Sequence, residues 1–315
     1  MLQIPNLVIF GQITVDDVVP ASPGIWRRLL GGNALYAAAG ARLVLSSDKI
    51  GIVSRIGRTT PIEVRKILDY VGIRHSISSI ENDILNEWIL YEEDGSRFSV
   101  PRNISIRRSS SETGINSEAY RHQLEAQSPT LNDMPPTWIN ATGFHLSPQV
   151  LSRHKKNFDA LKGNGFISLD PSPHYVCGLS SDDLFSQFQG VSVFMPSEQE
   201  IKHLTKDSNF EELKSIAAEL YESGFPEVIV KVGGKGCLVA GEDGVKHVPS
   251  ETVSKLVDST GAGDAFCGAY TACRIQGISP IEAASIAVKV GRKIVQSAGV
   301  EEALKLPPNS IFGKN

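Results

Sequence analysis

The sequence predicts an α/β fold, a three-layer sandwich of helices on a mainly parallel central sheet, with a small β lid. Three observations predict it. Short apolar, β-branched runs alternate with glycine turns and helical stretches along most of the 315 residues, which is the rhythm of parallel βαβ units. Between about residues 73 and 106 this rhythm gives way to short alternating runs. The hydrophobic content of 41% suffices for one large core.

Leu7 to Ile13 (LVIFGQI) reads as a buried strand, because it is short, apolar and β-branched. A loop with Pro20, Pro23 and Gly24 precedes GGNALYAAAGARLVL, two glycines opening an Ala-rich helix. Lys49 to Val53 is the next strand, and PIEVRKILDYVG places Ile62, Val64, Ile67, Leu68 and Val71 near helical spacing with Gly72 at its end. RHSISSI, NEWILYEE and RFSVPRN, with EEDGSR as a hairpin turn, are expected to be antiparallel strands outside the main sheet. Residues 107–136 are polar and Ser-rich and end in Pro135-Pro136, as surface helix and loop do. After Trp138 the strands FISLD, VSVFM, EVIVKV and CLVAG alternate with helices, and two Ala-rich helices start near Gly261 and Pro280. The expectation is one domain over 1–315, with a lid from parts of about 12–30 and 73–106.

A formal net charge of −4 with 21% charged residues gives no polyanion-binding surface, so nucleic acid is not expected as a partner. Cys177, Cys237, Cys267 and Cys273 form no CxxC pair and no zinc spacing. They read as reduced thiols of a cytoplasmic protein. The first residues show no leader pattern, and no apolar segment is long enough to span a bilayer. His145 and His174 read as packing or loop histidines.

The chemistry concentrates in DSTGAGDAFCGAY, residues 258 to 270. Gly261, Ala262 and Gly263 directly precede a helical run. A helix N-terminus offers unpaired N–H groups and a positive dipole end, and small residues let a phosphate approach them. Asp264 stands in the same first turn, where a carboxylate can accept a proton from a hydroxyl while the amides stabilise a phosphoryl group in transfer. The competing reading is a tight turn followed by a helix-stabilising acid. No Gly-x-x-x-x-Gly-Lys-Ser/Thr loop occurs, which argues against the P-loop class.

DSTGAGDAFCGA resembles the C-terminal signature of the PfkB/ribokinase family of carbohydrate and nucleoside kinases, and further landmarks follow in family order along nearly the whole chain. The resemblance implies a ribokinase-like fold and transfer of the ATP γ-phosphoryl group to a hydroxyl of a sugar or sugar-acid-like small molecule, with Asp264 as general base. The rival readings are a nucleoside kinase and a catalytically weak ligand-binding protein on the same fold. GQITVD, residues 11 to 16, looks like the opening segment, whose acid grips vicinal hydroxyls, here Asp16. Gly31, Gly32 and Asn33 resemble the Gly-Gly motif that lets the substrate approach the backbone, although Tyr36 replaces the usual Asn. Read alone, Asn33 would be a helix N-cap.

The turn KVGGKG is similar to the nucleotide-side turn, which assigns Lys231, Gly233 and Gly236, together with Thr260, to ATP. In MPSEQE, Glu198 matches the acid that helps place Mg²⁺ through water, while Met195 replaces the usual Asn. FISLDPSP resembles the strand ending in Asp-Pro near the phosphates, with Ser172 and His174 where Asn and Arg are often seen. Asp258 and Thr260 could lend backbone oxygens to a monovalent cation such as K⁺, as in several relatives. Trp26 and Trp88 belong to the lid or to a homodimer surface formed through it.

Overall fold

The computed structural model describes residues 3–19, 27–61, 63–84, 86–91, 97–101, 118–204, 209–253 and 256–311. Nine strands form the main sheet: β1 (Leu7–Phe10), β4 (Ile50–Ile56), β5 (Arg74–Ser79), β8 (Gly143–Leu146), β9 (Phe166–Leu169), β10 (Val193–Phe194), β11 (Val228–Lys231), β12 (Cys237–Gly241) and β13 (Gly244–Val248). Their order is β13-β12-β11-β10-β9-β8-β1-β4-β5. Pairing is parallel from β5 to β11 and antiparallel at β11-β12-β13. A second sheet runs β3-β2-β6-β7, from β2 (Thr14–Val19), β3 (Arg27–Gly31), β6 (Asn86–Tyr91) and β7 (Arg97–Pro101).

The main helices are α1 (Asn33–Arg42), α2 (Glu63–Val71), α3 (Glu118–Gln127), α4 (Leu151–Leu161), α5 (Ser181–Phe188), α6 (Phe210–Glu222), α7 (Ala262–Arg274) and α8 (Pro280–Ile294). β1 is LVIF with every residue buried, because it is paired on both sides and covered on both faces. Leu7 and Ile9 join the core under α1, α7 and α8. Val8 and Phe10 join the opposite core under α4, α5 and α6. α2 buries Val64, Ile67, Leu68 and Val71, the i, i+3, i+4, i+7 face of an amphipathic helix.

One expectation is corrected. Arg74–Ser79 is not a strand of the lid; it pairs parallel with β4 at the edge of the main sheet. Its alternating pattern announces a half-buried strand but not which sheet receives it. The preceding helix α2 decides, since a strand–helix–strand crossover returns the chain parallel beside its starting strand. Of the 73–106 stretch, the part in the second sheet therefore begins at Asn86. It is also not wholly antiparallel, because β2 pairs parallel with β6. The expected hairpin is present as β6 and β7, with its turn outside the described residues. Trp26, the Trp88 side chain and residues 107–117 also lie outside them. Within 118–136, Tyr120 and Leu124 are buried, so this segment is not wholly surface.

The strand order places a switch point between β1 and β8, where the chain leaves for one side of the sheet and then the other. In open α/β sheets a crevice for ligands forms at the carboxyl ends of the strands at such a point. The GQITVD segment follows β1, Asp170 follows β9, Ser197 follows β10 and the glycine turn follows β11.

Candidate active site

α1 and α7 pack closer than ordinary side chains allow. A Cβ on Gly40 would collide with the Ala265 carbonyl, and one on Gly268 with the Ala37 carbonyl. Ala34, Ala37, Ala38 and Ala41 on one helix, and Ala265, Ala269 and Ala272 on the other, are wholly buried. The Ala-rich composition thus has a geometric purpose: it lets two helix backbones meet and fixes their N-terminal turns relative to one another. The Tyr36 ring completes the junction. It is 4% exposed and fills the space over Gly261, where any Cβ would strike it.

Gly261 is the N-cap of α7, with φ +71° and ψ 5°, a left-handed conformation that favours glycine. Asp264 is the third residue inside the helix and is half-buried. The Ala262 N–H reaches back to the Ser259 carbonyl at 3.4 Å, and the Thr260 N–H donates to the Asp258 carboxylate at 2.9 Å. This folds DST into the turn that aims GAGD. Thr260 itself is 8% exposed.

Beyond β1, Asp16 and Asp17 are strand residues of β2, not solvated loop acids, and both are buried. The Asp16 carboxylate and the Thr14 hydroxyl lie over Gly31, so a Cβ there would meet both. Gly32 is the N-cap of α1 with φ +107°, so Asn33 is the first helical residue and not the cap. Its amide is committed to backbone groups: Oδ1 accepts from the Gln12 N–H at 2.7 Å, and Nδ2 donates to the Pro148 carbonyl at 2.9 Å. Asn33 therefore ties β1, α1 and the segment after β8 together.

At the ends of β9 and β11, the Lys231 ammonium donates to both Asp170 oxygens at 2.7 Å and approaches the Cys267 sulfur at 3.5 Å. The Cys267 thiol donates to Asp170 at 3.3 Å. Burial pushes the Asp170 carboxyl up, to about 7, while Lys231 pulls it down. Burial acts to lower the Lys231 ammonium, but Asp170, Cys267 and Glu200 more than offset this and hold it charged, above the ordinary lysine range. Glu200 is raised by burial and by Asp264, against Lys231 and Ser197. A Cβ on Gly263 would stand 3.8 Å from the Lys231 Nζ, so this cation lies next to the first turn of α7.

The body of α7 is tied to the sheet as well. Ser168 and Thr271 hydroxyls meet at 2.6 Å, the Tyr270 hydroxyl donates to Glu227 at 2.5 Å, and Arg274 donates to Glu227 at 3.1 Å.

Glu198 is half-buried, and its Oε1 would lie 3.8 Å from a Cβ on Gly233. It therefore faces the glycine turn. Gly233 is exposed in that turn, but Gly236 is buried beneath the Val248 carbonyl. Gly236 thus shapes the turn and does not present a surface to a nucleotide. Met195 is wholly buried in the hydrophobic core. His145 is buried against Ser168 at 2.9 Å, as a packing histidine should be. Cys177 is exposed, and Cys237, Cys267 and Cys273 are buried and unpaired in disulfides.

Asp170, Glu200 and Cys267 were not assigned to the site from sequence. Asp170 carried the signal of a strand-end Asp-Pro. Glu200 is masked by its capping box with Ser197, and Cys267 by the apolar run around it.

Residues 166–306 match the family described as pfkB family carbohydrate kinase. A cytidine kinase of Thermococcus kodakarensis is 25% identical over 298 residues, 93% of this chain and 97% of that protein. Two solved structures share the fold. An Arabidopsis thaliana ribokinase complexed with ribose and ATP superposes with a TM-score of 0.68 at 19% identity, over 99% of this chain and 100% of that one. A Burkholderia thailandensis nucleoside kinase in complex with inosine superposes with a TM-score of 0.70 at 14% identity, over 97% and 96%.

Proposed function

We propose that this chain, whose residues 166–306 match the pfkB family of carbohydrate kinases, transfers the γ-phosphoryl group of ATP to a hydroxyl of a small sugar or sugar-acid-like molecule, with Asp264 as general base. The observation that carries the reading is the half-buried Asp264 in a first helical turn opened by Gly261, with the Lys231 ammonium beside Gly263. The acceptor hydroxyl gives its proton to Asp264 as its oxygen attacks the γ-phosphorus in line with the departing ADP oxygen. The amides of Gly261 to Gly263 and the α7 dipole stabilise the phosphoryl oxygens during transfer. Asp16 receives the acceptor's other hydroxyls, since a carboxylate can accept two hydrogen bonds side by side, and Gly31 and Gly32 form the floor beside it.

Lys231 and the turn at Gly233 take the nucleotide phosphates, and Thr260 helps shape that end. Glu198 suits Mg²⁺, because an ion held mainly by phosphates and water needs few protein carboxylates. Mg²⁺ would neutralise the phosphate oxygens. The buried thioether of Met195 cannot reach its water shell, so Glu198 is the group this chain offers from that segment. The turn at Asp258 and Thr260 is the place for a monovalent cation. The small sheet covers the acceptor as a lid, and its edge strands β3 and β7 are where two copies would pair.

A second reading, a nucleoside kinase, is favoured by the cytidine kinase that this chain matches along 97% of its length. ATP consumption measured across sugars, sugar acids and nucleosides tests both readings. Turnover with sugars or sugar acids supports the first, and turnover confined to nucleosides supports the second. Absence of turnover with every acceptor would leave the weak ligand-binding protein.

A further inference from the structure

Beneath the first turn of α7 lie three groups that the proposed chemistry does not use: Asp170 from the end of β9 and Cys267 on α7, both in contact with the ammonium of Lys231 from the end of β11, and Glu200 from the short helix Glu198–Ile201, which acts on that ammonium electrostatically. Asp170 and the Lys231 side chain are 2% and 11% exposed. Glu200 is anchored in turn, accepting from the Ser197 N–H at 2.6 Å. Three separate elements thus bring groups to a single ammonium carried by a fourth.

An ammonium has three N–H donors. Two go to the Asp170 oxygens at 2.7 Å each, and among the described residues the third meets only the Cys267 sulfur at 3.5 Å. Sulfur is a weak acceptor, so the third donor is the one that a phosphate oxygen entering beside Gly263 can capture. A free lysine is a flexible point charge that must be ordered when it binds. Here the ordering is done before any ligand arrives, which is the condition for electrostatic stabilisation without reorganisation.

We propose that Asp170 is a positioning residue for the nucleotide's phosphates: it clamps the Lys231 ammonium against the first turn of α7, so that a fixed cation stands behind the phosphate-binding amides. The proposal rests on the kinase reading above. A buried ion pair that only supports the fold is the alternative, and the two differ in what they do to phosphate-bearing ligands.

The experiment is calorimetric binding of ATP with Mg²⁺, of ADP, and of adenosine, to the full chain and to Asp170→Asn and Lys231→Met. Partners that orient a binding group are typically worth ~10- to 100-fold in affinity. ATP and ADP are expected to weaken at least about tenfold in both variants on that scale, with adenosine within about twofold. The double variant is expected to be no weaker than Lys231→Met, because the two residues act as one unit.

If the wild-type chain binds no ATP, the kinase reading fails and the proposal with it. If the wild type binds and Asp170→Asn binds ATP equally well, the proposal alone is overturned. An equal loss for adenosine would also overturn it, since that marks a general disturbance of the site. Should Asp170→Asn show no cooperative melt, the double variant, which removes the pair together, takes its place. ATP binding by the double variant at wild-type strength would then overturn the proposal.

Discussion

On the proposed acceptor side of the cleft, Asp16 and Gly31 are held by strand pairing and Asn33 by neutral amide hydrogen bonds to Gln12 and Pro148. On the proposed phosphate side, Asp170, Glu200, Lys231 and Cys267 form a buried network of charges and a thiol around one cation. The difference matches what each side must recognise. An acceptor with hydroxyls needs hydrogen-bond acceptors in a fixed geometry, which the buried Asp16 carboxylate on a paired strand can supply. A triphosphate brings charge, and only a charge already fixed in a dry environment acts on it without reorganising. The junction of α1 with α7 joins the two sides, so each can be tested alone and the coupling tested at the junction.

The largest effect is expected at Asp264, where the two sides meet in the reaction. General base catalysis typically contributes ~100- to 10,000-fold. Asp264→Asn should lower kcat by that order while ATP binding persists, and near-normal turnover would remove Asp264 from the mechanism. Asp16→Ala should act on one side only. Each hydrogen bond to a charged group is worth ~1.5–3 kcal/mol, so the acceptor's KM should rise roughly 10- to 150-fold for one bond lost with ATP affinity kept. A fall in ATP affinity with acceptor affinity unchanged would reverse the assigned ends of the cleft.

The junction is tested by Gly268→Ala. The added methyl would meet the Ala37 carbonyl, so α1 and α7 must move apart. Overpacking of this kind typically costs ~1–3 kcal/mol, read as a lower midpoint in urea. Acceptor KM and kcat should change together, because both N-terminal turns shift. A variant as stable and active as the wild type would mean that the close approach sets neither stability nor the site.

What could be read from the sequence follows the same division. GAGD, GGN and the strand–turn–helix rhythm are local patterns, and local patterns carry their geometry with them. Gly261 had to be a helix-opening glycine because few other residues could stand there. By contrast, Lys231 and Asp170 lie 61 positions apart, and no local rule pairs them. Asn33 was assigned to the substrate from its motif, yet its amide is tied to Gln12 and Pro148, and the latter is 115 positions away. The edge strand Arg74–Ser79 was misplaced for a related reason. Its alternation reports burial on one face, whereas its sheet is chosen by the crossover through α2.

The smallest expected effect concerns a neutral group under the phosphate side. His145 is wholly buried, and burial, with smaller contributions from Lys231 and His154, pushes its pKa down to about 3. His154 is likewise pushed down to about 4, by burial. An unfolded histidine titrates near 6.5. Between these values the unfolded chain binds protons that the folded chain refuses, so the contribution of these histidines to stability falls as pH falls below about 6.5 and is constant above it. Each such histidine contributes a slope of ~1.4 kcal/mol per pH unit across that window. At about pH 5 the expected loss is therefore roughly 2 kcal/mol per histidine relative to neutral pH. Urea unfolding of the wild type and of His145→Gln, followed from about pH 7 to about pH 5, reads this directly. The variant should begin less stable at neutral pH, because it disturbs the contact with Ser168, yet lose less on acidification, by about one proton's worth of slope. Parallel pH curves for the two proteins would show that His145 takes up its proton in the folded state, and that the ground beneath α7 is more open to water than the phosphate side requires.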